Sequence, residues 1–262
     1  MTILDELADH ARMRTEQKKK SRSLESIRRE AESLQRGDYP FEKALKKPGV
    51  SFICECKKAS PSKGLIARDF PYLDIAREYE EAGADAISVL TEPKWFLGSD
   101  EYLRQIAGTV SIPVLRKDFT VDEYMIYEAK LLRASAVLLI VSILSPAQIK
   151  EYLDISHALG LSVLVECHDE NEISTAIEAG ARIIGVNNRN LKDFSVDTSL
   201  SEKLRSLIPA EVSFVSESGV KSPEDVRRLA ISGADAVLMG EVLMRAQDKK
   251  GLLMKMRAAQ DI

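Results

Sequence analysis

Glu55 and Lys57 stand two residues apart at the end of an apolar, β-prone run, Ser51-Phe52-Ile53-Cys54-Glu55-Cys56-Lys57. Alternation along a strand puts Ile53, Glu55 and Lys57 on one face and Phe52, Cys54 and Cys56 on the other. Charges are rarely buried unless paired or needed for function, so the pair is a structural ion pair or part of a site. The same alternation rule, applied to the other apolar runs, decides between them. Pro113, Leu115 and Lys117 share a face in the third strand, and Ser162, Leu164 and Glu166 in the fifth. Ile183, Gly185, Asn187 and Arg189 do so in the sixth, and Phe214, Ser216 and Ser218 in the seventh. Two carboxylates and two lysines at one mouth can run acid–base chemistry, because each shifts its neighbours' proton affinities. By parity Arg116 and Glu217 point outward, as partners between layers. His168 shares the parity of Glu166 and is a lesser candidate for assisting proton transfer.

The elements that carry these residues alternate regularly. Strands are expected at 51–57, 86–91, 113–117, 136–142, 162–167, 183–187, 212–217 and 236–240. Helices are expected at about 72–82, 100–107, 122–132, 146–159, 170–179, 198–207, 223–231, 241–246 and 250–259. Gly83-Ala84-Asp85-Ala86, Arg133-Ala134-Ser135-Ala136, Gly180-Ala181-Arg182-Ile183 and Gly233-Ala234-Asp235-Ala236 each end a helix and open an apolar strand. Two strand–helix units per repeat make eight, the count of a closed parallel barrel, with a doubly wound open sheet as the other arrangement. The expected fold is a single (β/α)8 TIM barrel whose active site lies at the carboxyl ends of the strands. Gly219 and Gly240 follow the last two strands, where such barrels commonly bind phosphate through backbone N–H groups. Phosphate binding is the favoured reading of those two glycines, with tight turns alone as the alternative.

Residues 1–50 read as an N-terminal helical extension packed on the barrel mouth, with a break at Ser23, and 51–262 as the barrel, one domain overall. A net charge of −4 gives no global attraction to nucleic acid or anionic membranes. No run reaches the roughly 18 apolar residues of a membrane span. Three cysteines cannot all pair, which fits a reduced, cytoplasmic protein. The three histidines show no metal-ligand spacing. Cys54, Cys56 and Cys167 read as packing, and Trp95 either as a substrate contact from the second loop or as an aromatic lid against the N-terminal helices.

Glu55-Cys56-Lys57-Lys58-Ala59-Ser60-Pro61-Ser62 resembles the signature of the indole-3-glycerol phosphate synthase family of tryptophan biosynthesis. Thr91 to Ser99, Pro113 to Phe119, Leu164-Val165-Glu166, Gly185 to Arg189 and Ser216 to Gly219 match its further motifs in order, over nearly the whole chain. The resemblance implies ring closure, decarboxylation and dehydration of 1-(2-carboxyphenylamino)-1-deoxyribulose 5-phosphate, without cofactor or metal. Carried over by position, Lys117 is the general acid, and Glu166 and Glu55 serve later proton transfers in an order left open. Lys57 is expected to hold the anionic substrate and is a further candidate proton donor, while Asn187, Arg189 and Ser218 belong to the polar lining. Ser60, Gly219, Gly240 and the backbone of Glu241 are expected around the phosphate, with the Glu241 carboxylate turned away. Phe96, Phe119 and Leu138 would form a bed for the anthranilate ring. The expected partner is a phosphorylated small molecule, with no nucleic acid or membrane, and the expected state a monomer. The rival readings are a barrel like phosphoribosylanthranilate isomerase and a non-catalytic metabolite-binding barrel.

Overall fold

A computed structural model describes residues 2–190 and 193–260. Position 1 of the expected 1–50 extension, and positions 191–192 and 261–262 of the expected 51–262 barrel, lie outside the described residues. Eight parallel strands close on themselves: β1 (Ser51–Cys56), β2 (Ala86–Leu90), β3 (Val114–Lys117), β4 (Ala136–Ile140), β5 (Ser162–Cys167), β6 (Ile183–Asn187), β7 (Ser213–Glu217) and β8 (Ala236–Met239). β1 pairs with both β2 and β8, so the barrel has no free edge. Closure divides the apolar side chains into two cores. Ile53, Leu115, Leu138, Leu164, Ile183, Val215 and Leu238 fill the interior. Phe52, Cys54, Cys56, Val137, Val165, Phe214 and Met239 pack outward against the helices. The three cysteines are buried and unpaired on that outer side, as their parity requires.

Helix ends follow the sequence signals closely. Ser145 and Ser222 cap α7 (Pro146–Ala158) and α10 (Pro223–Ile231), each completing a reciprocal pair with the residue three positions on. At the four repeat junctions the chain leaves the helix in a left-handed turn, and Arg133 adopts it (φ 66°) where the other three positions carry glycine. The repeat has a further purpose at the strand starts. Asp85 and Asp235 accept the backbone N–H of Phe52 (3.0 Å) and Phe214 (2.7 Å), and Ser135 accepts that of Val114 (3.3 Å). These bonds satisfy donors that the ladder leaves open at the amino ends of the strands.

The N-terminal segment is divided among three places rather than lying wholly on the mouth. α1 (Ile3–Ser21) and α2 (Leu24–Ser33) break at Ser23, whose hydroxyl accepts the N–H of Ser26. α1 covers the carboxyl ends of the strands and sends Leu7, Ala8 and Ala11 into the inner core. α2 runs along the outside, burying Ile27 and Ala31 in the outer core. A short helix that the sequence reading missed, α3 (Pro40–Leu45), crosses the opposite end. There Glu42 N–H donates to Ser162 Oγ (3.2 Å), Ser51 Oγ donates to the Ala44 carbonyl (3.0 Å), and Phe41 and Leu45 join the inner core. A barrel has two open ends, and apolar side chains exposed at either would lose burial energy. One extension therefore closes both.

Candidate active site

Two charged clusters stand at the carboxyl ends of the strands, around a cavity of about 730 Å³. The first is local to β1. Lys57 Nζ donates to Glu55 Oε1 at 2.6 Å, and Ser88 on β2 donates to the other oxygen at 3.3 Å. Gly240, just beyond β8, leaves them room: a Cβ there would lie 2.5 Å from Glu55 Oε1 and 3.0 Å from Lys57 Nζ. The nearest role of Gly240 is thus clearance for this pair, in addition to any approach to an anion.

The second cluster is assembled across the barrel. Lys117 Nζ lies 2.7 Å from Glu166 Oε2 and 3.0 Å from Glu217 Oε2. Asn187 Nδ2 donates to Glu166 Oε1 at 3.0 Å. Burial opposes charge on all three ionisable groups, and the outcome differs for each. Burial notwithstanding, the Glu166 and Glu217 carboxylates hold the Lys117 proton well above the ordinary lysine range. Against the same burial, Lys117, His168 and Asn187 hold Glu166 well below the usual carboxylate range. Glu217 is pushed up to about 7 by burial, to which the nearby Glu166 and Glu55 charges add. One ammonium cannot fully neutralise two buried carboxylates, so the proton is held most readily on Glu217.

Glu217 corrects the outward assignment. In parallel strands, residues in register share a face, and Asn187 pairs with Glu217 as Gly185 does with Val215. Phe214 and Ser216 therefore face outward: Phe214 packs under Arg205, and Ser216 bonds to Asn188 (3.1 Å) and Ser201 (2.8 Å). The polar serines suggested the opposite phase. The available signal was the inward glycine on the neighbouring strand, since a Cβ on Gly185 would meet Glu217 Oε1 at 2.1 Å. Ser218 still lines the mouth, but it does so past the strand end in a left-handed conformation (φ 66°), not by alternation.

The remaining expected residues come together around the same cavity. Phe96 and Phe119, with ring centroids 6.1 Å apart, line it with Leu138. At its other side stand Ser60, Gly219, Gly240 and Glu241, joined by Ser62, Lys63, Lys221 and Arg245, which the sequence reading did not single out. Glu241 is neutralised more than turned away, with Arg245 at 3.1 Å and Lys63 at 3.9 Å. Arg189 lines the mouth and donates to the Phe194 carbonyl at 3.2 Å. Ser60 lies in a two-stranded hairpin, Ala59–Ser60 against Gly64–Leu65, that forms within the expected loop.

α1 is pinned over this mouth by buried carboxylates. Arg14 Nη2 donates to Asp118 Oδ1 at 2.8 Å, and His10 Nδ1 lies 3.1 Å from Glu92 Oε1. Glu92 also accepts the N–H groups of Lys94, Trp95 and Phe96, and Asp118 that of Phe119. Both phenylalanines thus hang on carboxylates held by α1. Trp95 packs edge-on to His10 (5.2 Å) and does not line the cavity.

Among the described residues, no cluster of three or more His, Cys, Asp or Glu side chains is arranged to hold a metal ion, and no helix is long and apolar enough to cross a membrane. The family model for indole-3-glycerol phosphate synthase matches residues 4–256. A protein of that name from Ruminiclostridium cellulolyticum is 56% identical over 258 residues, covering 98% of this chain and 99% of its own. Another from Endomicrobium trichonymphae is 52% identical, covering 93% and 95%. Among solved structures, thiamine phosphate pyrophosphorylase from Pyrococcus furiosus superposes with a TM-score of 0.61 at 17% identity, covering 84% of this chain and 98% of that one. That likeness speaks for the barrel alone.

Proposed function

The chain belongs to the indole-3-glycerol phosphate synthase family, and from that premise we propose how its residues divide the work of ring closure, decarboxylation and dehydration. The substrate's ring lies against Phe96, Phe119 and Leu138, and its phosphate lies toward Ser60, Gly219, Gly240 and the backbone of Glu241. Lys63, Lys221 and Arg245 add positive charge on that side. Lys57 and Arg189 face the anionic groups between them.

Lys117 then acts on the carbonyl oxygen as the new carbon–carbon bond forms. Its ammonium is fixed between two carboxylates, so it needs little reorganisation to meet the negative charge that develops there. The proton follows the charge and leaves a hydroxyl where the carbonyl was. Loss of CO₂ restores the aromatic ring; the hydroxyl then takes a proton from Lys57 and departs as water while a carboxylate removes a proton from the neighbouring carbon. Glu166, held ionised, is suited to accept a proton in these later steps, and Glu55 lies across the mouth for another. Glu217, which holds a proton near neutrality, is suited to keep charge balanced on Lys117. The observation that carries this reading is Lys117 held by Glu166 and Glu217 beside an apolar bed.

The extension and barrel work as one domain, since residues of α1 and α3 share the inner core. We further propose a cytoplasmic monomer, whose three buried free thiols suit a reducing compartment. Sedimentation at working concentration tests the monomer.

The assignment of roles is tested by single turnover. Lys117→Met keeps most of the stem's volume and should lower kcat by about 10²–10⁴-fold, with unreacted substrate accumulating. Glu55→Gln should instead let the ring close and accumulate a cyclised intermediate. Near-normal turnover in Lys117→Met would transfer the acid's role to Lys57.

A further inference from the structure

We propose that His168 is a positioning residue for Glu166: anchored by Glu172, its imidazolium keeps the Glu166 carboxylate ionised and turned toward Lys117. This rests on the reading of Glu166 as a proton acceptor. His168 follows the end of β5 by one residue and does not line the cavity. Its Nδ1 lies 3.1 Å from Glu172 Oε2, and its backbone N–H donates to the same oxygen at 2.7 Å. Two bonds to one carboxylate fix the ring's position. Glu172 is itself set in the first turn of α8 (Glu170–Glu178), where Asp169 accepts its N–H at 2.9 Å.

The other ring nitrogen faces the site. Nε2 is buried without a well-aligned hydrogen bond, and its nearest charged atom is Glu166 Oε1 at 3.4 Å. Asn187 bonds to that same oxygen, while Lys117 takes the other. The result is a line of alternating charge, Glu172, His168, Glu166, Lys117 and Glu217, running from the outside of the barrel to its axis. The charged and titratable groups facing His168 are Glu166 from β5 and Glu172 from α8, with Lys117 and Glu217 acting beyond Glu166. Both direct neighbours are carboxylates, and they raise the imidazole to about 10 against the opposing effect of burial. The ring is therefore charged at neutral pH. Without it, Glu166 would keep the neutral donor Asn187 and the charge of Lys117, which is shared with Glu217.

The full-length chain tests this by kinetics and by NMR of ¹⁵N-histidine. In His168→Gln, KM should stay within about twofold, while kcat at neutral pH falls about tenfold through lost orientation. Removing a positive charge raises a carboxylate's proton affinity, so the acidic limb of kcat should move up by about one pH unit. In the unmodified chain the His168 ring should titrate far above neutrality, and Glu172→Gln should lower that midpoint by about one to two units. A His168 ring neutral at pH 7, or an acidic limb unmoved in a folded His168→Gln protein, overturns the inference. Should His168→Gln fail to fold, Glu172→Gln, on the outer helix, decides through the same limb and the ring titration. Glu166→Gln separates the two readings. Activity surviving that change overturns the role of Glu166 and this inference with it. Activity lost there, with the limb unmoved in His168→Gln, overturns this inference alone.

Discussion

The two charged clusters at the mouth are built in opposite ways. Glu55 and Lys57 come from one strand, two positions apart, and meet because a strand repeats every second residue. Lys117, Glu166 and Glu217 come from three strands separated by 49 and 100 positions, and meet because the barrel closes. The local pair is partly open, with the Lys57 side chain 17% exposed. The assembled cluster is the more sealed: Lys117 is 13% exposed and its carboxylates 3% and 2%, against 5% for Glu55. A sealed cluster with an excess carboxylate is held under tension by its neighbours, whereas an open pair can relax toward solvent. Each cluster also has a glycine beside it that makes room, and those glycines are the sharpest means of testing the difference.

Gly185→Ala should have the larger effect. The added methyl would stand 2.1 Å from Glu217 Oε1 and 3.1 Å from Leu164 Cδ1. Glu217 is nearly buried and bonded to Lys117, so displacing its carboxylate shifts Lys117 with it. A displacement near 1 Å in a catalytic constellation costs on the order of 100-fold in rate. Circular dichroism would verify folding, and an unchanged kcat in a normally folded variant would show that the cluster tolerates displacement. Gly240→Ala sits against the open pair, 2.5 Å from Glu55 Oε1 and 3.0 Å from Lys57 Nζ. Lys57 is the end of a flexible side chain and can swing toward solvent. Its kcat should fall only about tenfold, with a rise in KM because Gly240 also borders the phosphate side. Equal losses in the two variants would abolish the distinction between sealed and open clusters.

The same contrast explains what was legible in the sequence. The Glu55–Lys57 pair follows from alternation within one short run, and so does the count of eight strands from four repeated junctions. Lys117 and Glu166 were found because Leu115 and Leu164 fix the phase of their strands. Glu217 was not, because β7 offered two consecutive apolar residues, Phe214 and Val215, and alternation alone does not choose between them. Its phase is set by register with β6, a relation between segments about thirty residues apart. α3 escaped for a different reason: at six residues it is too short for periodicity, and only its position beneath the barrel makes Phe41 and Leu45 core residues. His168 was visible by parity, but its partner Glu172 became so only once α8 folded back against β5.

The smallest expected effect is one of stability, and it distinguishes the sealed cluster by sign. Glu217 binds its proton with a midpoint of about 7 in the folded protein, against the ordinary 4.5 of a glutamate. Between those two values the folded state holds more protons at this site than the unfolded state does. Stability contributed by Glu217 therefore falls as pH rises from about 4.5 to about 7 and stays low above that. Glu217→Gln is close in shape to the protonated acid, so at pH 5 it should melt like the unmodified protein. At pH 8 the unmodified protein carries a second buried carboxylate and the variant does not. The variant should then be the more stable by about 1–3 kcal/mol, a gain of several degrees in melting temperature, even though its activity is lowered. Thermal unfolding of both proteins at the two pH values measures this. A variant less stable at pH 8 would mean that the Lys117–Glu217 ion pair outweighs the desolvation of its carboxylate, and that the sealed cluster is stabilised by its charges as the open pair is.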